Sequence, residues 1–185
     1  MNMEYYLAID LEATCCDDNT FPRNEMETIE IGAVMVCKRT LLSVDEFQTF
    51  VAPVRNPVLT KFCIQLTGIS QSQVDEAPGF KNALHNLMNW AQSFPGFTFC
   101  SWGDYDRKQI RSDCEFHGLP FPLGERHINL KAEFASIRGL RKKMGVQEAL
   151  HAVGLKFIGS HHRGIDDARN IASLIPYIYS PEAGG

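Results

Sequence analysis

The segment Tyr5-Tyr6-Leu7-Ala8-Ile9-Asp10-Leu11-Glu12-Ala13-Thr14 begins as an apolar strand and ends with two carboxylates two residues apart. Side chains at positions i and i+2 of a strand point to the same face, so Asp10 and Glu12 are expected to project together. Two like charges held side by side repel each other and are costly to bury unless a cation lies between them. Such a pair is also common where a strand runs out into a solvated loop. It becomes informative only if distant parts of the chain supply partners for it.

The composition is that of a single globular domain. The chain has 185 residues, of which 44% are apolar and 22% are charged, and this length suffices for one domain with its own core. We expect one domain over residues 1–185, with a core over about 5–179 and a frayed tail at 181–185. No apolar run is long enough to cross a bilayer, and no signal-like segment opens the chain. We therefore expect a cytoplasmic protein without a membrane partner.

Charge and cysteine content argue against several classes of protein. A net charge of −4 does not suit a protein that coats nucleic acid through a basic surface, although it permits an enzyme that holds nucleic acid through metal ions. The six cysteines stand at positions 15, 16, 37, 63, 100 and 114, with no C-x-x-C pair. This spacing fits neither a zinc site nor a secreted disulfide scaffold, and it predicts buried, reduced thiols.

The hydrophobic pattern predicts a mixed α/β fold. Residues 5–14, 28–37 and 42–51 are predicted strands with short links, which indicates a three-strand antiparallel meander. Two further short strands are predicted at 97–102 and 127–130. Helices are predicted at 61–66, 78–91, 104–117, 131–137, 146–153 and 165–179, with one or two more turns starting at Ser70. The chain should therefore form a mixed sheet of five strands flanked by helices.

The first candidate partner for the acid pair lies in Gly103-Asp104-Tyr105-Asp106, where a strand leads into a helix. Asp104 shares its helical face with solvent-type residues such as Lys108 and also suits an N-cap position. Asp106 shares its face with Ile110, on the inward stripe of the helix. A carboxylate on the inward side needs a compensating partner, and a metal ion would be one. Helical phase therefore favours Asp106.

The second candidate lies in the doublet Asp166-Asp167 at the start of the last helix. Acids in a first helical turn are favoured by the helix dipole alone, so their presence is not decisive. Asp166 lines up with a polar outer face that includes Asn170. Asp167 lines up with Ile171 and Leu174, which should pack on the sheet. An acid on the packed side should be paired or should bind a cation, so helical phase favours Asp167.

These acids form a set of hard oxygen ligands. Its members are Asp10, Glu12, Asp106 and Asp167, and the glycine-flanked loop before Asp167 adds His161 or His162, free to swing toward it. Four carboxylates without a cysteine ligand suit Mg²⁺ or Mn²⁺ and not zinc. Two such ions about 3.5–4 Å apart are the usual device for in-line phosphoryl displacement. A histidine is a suitable base for the attacking water.

The same residues resemble the three motifs of the DEDDh 3′→5′ exonucleases, which have an RNase H-like fold. The matching motifs are Asp10-x-Glu12, the aspartate that closes Gly103-Asp104-Tyr105-Asp106, and His162-x-Gly164-x-x-Asp167-Ala168. His161 and Asp166 have the same spacing as His162 and Asp167. Only the second pair places a small residue two after the histidine and an alanine after the aspartate, so the resemblance assigns His162.

Longer segments resemble the branch that contains the histone-mRNA and Eri-type RNA exonucleases. They are Asp10-Leu-Glu-Ala-Thr-Cys15, Phe62-Cys-Ile-Gln-Leu-Thr-Gly-Ile69 and Gln73-Val-Asp75. The resemblance covers about residues 5–178. Some relatives carry an N-terminal nucleic-acid-binding module that this sequence does not show, so specificity for a stem-loop is not carried over.

The resemblance implies a role for each site residue. Two Mg²⁺ ions, replaceable by Mn²⁺, would be held by Asp10, Glu12, Asp106 and Asp167. Glu12 would bridge them and His162 would be the general base. The terminal nucleotide would contact His162 and the main chain at Glu12 and Ala13, and its base would be lined by Phe62, Leu66 and Ile69. Those three apolar residues fit a helix core equally well.

The implied activity is hydrolysis of single-stranded 3′ ends, with RNA preferred to DNA and nucleoside 5′-monophosphates as products. Two alternatives remain open, a proofreading exonuclease of a DNA polymerase and a nucleic-acid-binding protein that has lost catalysis. The intact set of five site residues counts against the second alternative.

Two further features keep two interpretations each. The basic cluster Arg138, Arg141, Lys142 and Lys143 could contact the substrate backbone or form a solvated loop. Glu30, in the strand beside Asp10, could support the site from behind, but an ordinary surface position is the expected one.

Overall fold

A five-stranded mixed sheet forms the centre of the molecule in this computed structural model, which describes residues 4–180. The strands are β1 (Tyr5–Ala13), β2 (Thr28–Cys37), β3 (Ser43–Phe50), β4 (Phe97–Ser101) and β5 (His127–Asn129). Their order across the sheet is β3-β2-β1-β4-β5. Strands β1, β2 and β3 pair antiparallel, whereas β4 and β5 extend the sheet in parallel with β1. The predicted meander with two added strands is confirmed, while the predicted tail at 181–185 lies outside the described residues.

Eight α-helices are present among the described residues. They are α1 (Lys61–Thr67), α2 (Gln71–Asp75), α3 (Phe80–Ala91), α4 (Tyr105–Phe116), α5 (Leu130–Ile137), α6 (Val146–Ala152), α7 (Gly164–Leu174) and α8 (Pro176–Tyr179). The predicted caps of the first two are present: Thr60 accepts from the Cys63 amide, and Ser70 forms a capping box with Gln73. The predicted single helix 165–179 is divided into α7 and α8, because Pro176 lacks the N–H that would continue α7. Within residues 4–180, none of the helices has the length and apolar character needed to cross a bilayer.

Helices cover both faces of the sheet because side chains alternate along each strand. On one face Leu7, Ile9 and Leu11 of β1 pack with residues of α3 and α4. On the opposite face Ala8 and its neighbours pack against α5, α6 and α7. Asp10 and Glu12 share the parity of Ala8, so the alternation directs both carboxylates to the face covered by α7.

All six cysteines lie in the described range and are free thiols. Cys37, Cys63, Cys100 and Cys114 are buried, as predicted. Cys15 and Cys16 are only half-buried, in the loop that follows β1.

The start of α7 meets the sheet at Gly32, directly across from Asp10 in the β1–β2 register. A Cβ atom added to Gly32 would lie 2.1 Å from the carbonyl carbon of Gly164 and 2.3 Å from the amide nitrogen of Ile165. Only a glycine at position 32 therefore allows the backbone of α7 to approach this closely. The approach places the N-terminus of α7 beside the end of β1.

Replacing Gly32 with alanine should lower the free energy of unfolding by about 3 kcal/mol, because the added methyl group overlaps backbone atoms that cannot rotate away. Urea denaturation followed by circular dichroism measures this change. The matched control is Gly79→Ala, since a Cβ at Gly79 has no atom within 4 Å, and it should cost less than about 1 kcal/mol. Equal losses in the two variants would contradict the close approach.

Candidate active site

A cavity of about 310 Å³ opens at the carboxyl end of β1. Its lining comprises Asp10, Leu11, Glu12, Ala13, Cys15, Met26, Leu66, Trp102, Tyr105, Asp106, Val146, His161, His162 and Asp167. The four predicted carboxylates and both candidate histidines thus lie around one cavity. They reach it from three separate parts of the chain, the end of β1, the first turn of α4, and the loop and first turn of α7.

Three of the carboxylates converge closely. Asp10, Glu12 and Asp167 each offer an oxygen within 4.8 Å of the others. Asp106 reaches the cavity beside them, and its Oδ1 accepts a hydrogen bond of 3.1 Å from the Leu11 amide. That bond ties the start of α4 to β1 through the acid itself.

The aspartate that helical phase favours in each pair is the one that is buried and lines the cavity. Asp106 and Asp167 are 4% and 3% exposed. Asp104 is exposed and Asp166 forms an ion pair with Arg169. Asp104 occupies the N-cap position of α4, but its side chain does not cap the helix as expected. Its carboxylate instead accepts a hydrogen bond from the Asn129 amide group.

The electrostatics of this cluster disfavour four negative charges. Burial raises the pKa of Asp10 well above its ordinary value, and the nearby carboxylates raise it further. Burial and then Asp167 raise the pKa of Glu12 to about 8. Burial also raises the pKa of Asp106, to about 6, although the hydrogen bond from Leu11 opposes this. With a pKa of about 8, Glu12 would hold a proton near neutral pH that a bound cation would displace.

The histidine loop places His161 and His162 differently. The His161 Nδ1 atom lies 2.9 Å from Asp167 Oδ1. His162 reaches the same carboxylate through its backbone, with its N–H donating to Asp167 Oδ2 at 2.8 Å. The two rings stand 4.0 Å apart. The side chain that contacts Asp167 in this structure is therefore that of His161, whereas the sequence motif selects His162.

The His162 backbone has a φ of 64°, in the left-handed region that non-glycine residues rarely adopt. Burial lowers the pKa of the His162 ring, and the neighbouring His161 lowers it further while Asp167 opposes the shift. A lowered pKa favours the neutral imidazole, which is the form able to accept a proton.

The expected base-lining residues divide among three environments. Leu66 lines the cavity. Phe62 lines an adjoining groove of about 600 Å³, which shares Cys15, Met26 and Tyr105 with the cavity. Ile69 is fully buried in a separate cluster with Ile29, Leu59, Cys63 and Val74, so here its side chain belongs to the core and does not line the cavity.

Three apolar residues of the cavity wall escaped the sequence analysis, namely Trp102, Tyr105 and Val146. Trp102 follows the end of β4, the strand parallel to β1, and Tyr105 is the first residue of α4. Because parallel strands end at the same edge of a sheet, the position of Trp102 was a usable signal. The Trp102 ring Nε1 donates to the Met144 carbonyl at 3.0 Å, which links the wall to the segment before α6.

The expectation that Glu30 lies at the surface is wrong, and so is that of a solvent-facing Asn170. Glu30 is 0% exposed and accepts hydrogen bonds from Gln48, Arg163 and Gly164. Asn170 is buried and holds the backbone of Ile158 through both amide atoms. The sequence period places each residue on a polar face of its strand or helix. In the structure a loop folds back over that face and buries it.

The basic segment before α6 is exposed. Its cationic residues are Arg138, Arg141, Lys142 and Lys143. Arg138 lies over the ring of Phe134, with its guanidinium carbon 5.2 Å from the ring centre. The hydrogen bond from Trp102 to Met144 holds this segment near the cavity. None of its four charged residues lines the cavity.

The donor set fits hard divalent cations. Every titratable group in the convergent cluster is a carboxylate, and oxygen donors of this kind suit Mg²⁺ or Mn²⁺. The arginines near the site are committed to other acids, Arg163 to Glu30 and Arg169 to Glu46 and Asp166. Among residues 4–180, His161 forms an ion pair with Asp167 when it is protonated, but no arginine or lysine pairs with Asp10, Glu12 or Asp167.

Comparisons with known proteins agree with this geometry. A family model described as Exonuclease (RNase_T) matches residues 7–175. ERI1 exoribonuclease 3 of Homo sapiens is 34% identical over 179 residues, which cover 92% of this chain and 52% of that protein. The probable 3′-5′ exonuclease KapD of Bacillus subtilis is 32% identical and covers 96% of this chain and 86% of its own. The chain spans about half the length of the mammalian ERI1 exoribonuclease 3 proteins that it matches.

Solved structures show the same fold. The nuclease domain of 3′hExo, described as a DEDDh family member bound to rAMP, superposes with a TM-score of 0.90 at 29% identity and covers 98% of this chain and 94% of that one. A structure of 3′-end recognition of the histone mRNA stem-loop by 3′-exonuclease gives a TM-score of 0.89 at 28% identity, covering 98% and 84%. The predicted RNase H-like mixed sheet is confirmed. This chain belongs to the RNase_T exonuclease family, as a DEDDh member of the Eri and histone-mRNA branch.

Proposed function

We propose that this protein is a metal-dependent 3′→5′ exonuclease that removes nucleoside 5′-monophosphates from single-stranded 3′ ends, with RNA preferred to DNA. The observation that carries the proposal is the convergence of four carboxylates and a histidine loop on one cavity. The names of the relatives support the RNA preference, since several are exoribonucleases. A related nuclease domain was solved with rAMP, which is a nucleoside monophosphate.

The metal-binding residues in this proposal are the four carboxylates of the cavity, Asp10, Glu12, Asp106 and Asp167. Their close approach and raised pKa values fit a site for two Mg²⁺ ions, with Mn²⁺ as a substitute. Two such ions, when bound, supply positive charge that stabilises the phosphoryl transition state and lowers the pKa of the attacking water. Glu12 would hold the ions together with Asp10 and Asp167, since oxygens of these three carboxylates lie within 4.8 Å of one another.

The general base in this proposal is His162, which takes a proton from the attacking water. Its lowered pKa keeps the imidazole neutral near pH 7 and so able to accept that proton. The contact of its backbone N–H with Asp167 holds the residue at the edge of the carboxylate cluster. The His161 ring contacts Asp167 directly and is the competing candidate.

The terminal nucleotide, in this proposal, lies along the cavity wall. The main chain of Glu12 and Ala13 offers backbone hydrogen-bonding groups at the end of β1, and Leu66 offers an apolar surface for the base. Phe62 contributes from the adjoining groove. Trp102 adds an aromatic surface to the same wall, of the kind on which bases stack in single-stranded nucleic acid complexes.

Matched RNA and DNA oligonucleotides, single-stranded and duplex, test this function. With Mg²⁺ the single-stranded RNA should shorten from its 3′ end and release nucleoside 5′-monophosphates, and EDTA should stop the reaction.

Asp10→Asn and Asp167→Asn should each lower the rate by at least about 10³-fold while the circular dichroism spectrum stays native, because each removes a metal-binding charge. Full activity in either variant would contradict the proposal. Binding without cleavage would indicate a non-catalytic protein, and preference for mismatched DNA ends a proofreading enzyme.

His162→Ala should lower kcat by about 10²–10⁴-fold, because the water loses its proton acceptor. Mn²⁺ binding, measured by calorimetry, should remain, since the four carboxylates are intact. His161→Ala is the matched comparison and should cause the smaller loss. A larger loss in His161→Ala than in His162→Ala would reverse the assignment of the base.

The raised pKa of Glu12 predicts a pH-dependent stability difference in the metal-free protein. Its pKa is 4.5 in the unfolded chain and about 8 in the fold, so between these values the folded state holds a proton that the unfolded state lacks, and stability falls as pH rises. Glu12→Gln removes this penalty. In EDTA the variant should gain on the wild type by roughly 2 kcal/mol between about pH 5 and pH 8.

Divalent metal should reverse the order of stability, so that the wild type becomes more stable than the Glu12→Gln variant. Mg²⁺ should raise the melting temperature of the wild type more at about pH 8 than at about pH 5, because the ions displace protons from the cluster. The Glu12→Gln variant should gain less from Mg²⁺. A wild type and variant with parallel pH profiles in EDTA would show that Glu12 does not titrate as described.

A further inference from the structure

Glu30 is a buried carboxylate next to the cavity for which the proposed function gives no role. It lies in β2 directly opposite Glu12 in the β1–β2 register, so the two side chains occupy the same face of the sheet. The Glu30 side chain is 0% exposed. A buried carboxylate is costly unless protein groups compensate its charge.

Both oxygens of Glu30 are occupied by protein donors. Oε2 accepts from the Gly164 amide at 3.0 Å and from Arg163 Nε at 3.2 Å. Oε1 accepts from Gln48 Nε2 at 2.6 Å. The carboxylate is therefore saturated by its neighbours, and it lies outside the group of Asp10, Glu12 and Asp167 whose oxygens converge. Glu30 therefore fixes neighbouring protein groups through hydrogen bonds and does not serve as a metal ligand.

The groups held by Glu30 belong to the histidine loop. Arg163 and Gly164 directly follow His162, and they link it to the first turn of α7. The loop is fixed on one side by the bond from the His162 amide to Asp167, and on the other by the bond from the Gly164 amide to Glu30. Between these two bonds His162 has its left-handed backbone with φ 64°.

We propose that Glu30 is a positioning residue that fixes the direction of the His162 side chain. A residue in a sparsely populated backbone region keeps that conformation only when its surroundings hold it there. Arg163 is also held by the hydrogen bond from the Asp167 amide to its carbonyl, and Gly164 by its packing on Gly32. The Glu30 carboxylate adds the restraint on the Gly164 amide and on the Arg163 side chain. This inference rests on the proposed role of His162 as the base.

The restraint comes from β2, the strand that pairs with β1, on the same face of the sheet as the cavity acids. Gly32 and Gly164 pack backbone against backbone, and a Cβ at Gly164 would lie 3.4 Å from Glu30 Cγ. Arg163 and Gly164 thus rest on β2, and the guanidinium of Arg163 lies 5.4 Å from the ring centre of Phe50 on β3. Loss of the Glu30 charge would weaken the hold on the Arg163 guanidinium and the Gly164 amide. A shift of about 1 Å at a reacting group can cost about 10²-fold in rate.

A double-mutant cycle tests the proposal on the full chain with single-stranded RNA. Glu30→Gln keeps the size of the side chain but removes the charge that holds Arg163. It should lower kcat by about 10–100-fold, with KM and Mn²⁺ binding changed by less than about two-fold. In the His162→Ala background the same substitution should change kcat by less than about two-fold, because the residue that it positions is already absent.

Glu27→Gln is the matched control. Glu27 is also a buried carboxylate, at the start of β2, and it accepts from the backbone amides of Val54, Arg55 and Asn56. Its loop carries no member of the proposed catalytic set. The control should lose stability in thermal denaturation while kcat stays within about two-fold of the wild type.

The outcomes separate the two proposals. If His162→Ala keeps the full rate, the assignment of the base fails, and the positioning role fails with it. If His162→Ala is slow but Glu30→Gln keeps the full rate, or its effect is undiminished in the double variant, only the positioning role is overturned. Should Glu30→Gln not fold, Arg163→Ala replaces it, since it removes one donor to Glu30 and should show the same dependence on His162.

Discussion

The mutual repulsion of carboxylates at the end of β1 is the constraint on which the rest of this molecule depends. Asp10, Glu12 and Asp167 bring their oxygens within 4.8 Å of one another in a largely buried place. Burial raises the pKa of each of the three, and neighbouring carboxylates raise those of Asp10 and Glu12 further, so the cluster is unfavourable without protons or cations. The fold must therefore hold these acids together against their mutual repulsion. Clusters of this kind are typical of sites that bind divalent cations.

The sheet and α7 supply that restraint. Asp10 and Glu12 are fixed by the β1–β2 ladder, and Asp167 is carried in by a helix that meets β2 at Gly32. Asp106 comes from α4 and is tied to β1 by the Leu11 amide. Since the acids sit on three rigid elements, β1, α4 and α7, relaxation of one side chain cannot relieve the repulsion. The packing of the whole domain offsets the free-energy cost of this repulsion.

The buried acids of this protein fall into two groups with different surroundings. Glu27, Glu30 and Asp113 are met by protein donors, from backbone amides, hydroxyls or amide side chains. Asp10 and Glu12 instead face Asp167 across a cavity. Asp167 also contacts the histidine loop, through the His161 ring and the His162 amide. The first group stabilises loops and strands as ordinary buried hydrogen-bond acceptors do. The charge of the second group is available to a ligand. This difference in hydrogen-bond partners distinguishes the acids of the cavity from the structural acids better than burial does.

The sequence by itself determined the strand meander, the helix positions and the four acids of the cavity, because periods of 2 and 3.6 residues assign each side chain to a face. Phase alone chose Asp106 and Asp167 over Asp104 and Asp166. Only the tertiary structure decided what covers each face. The burial of Glu30 and Ile69, the wall formed by Trp102, and the contact of His161 with Asp167 all depend on segments far apart in the chain. Periodicity describes one element at a time, whereas these contacts arise where a loop or a neighbouring element closes over it.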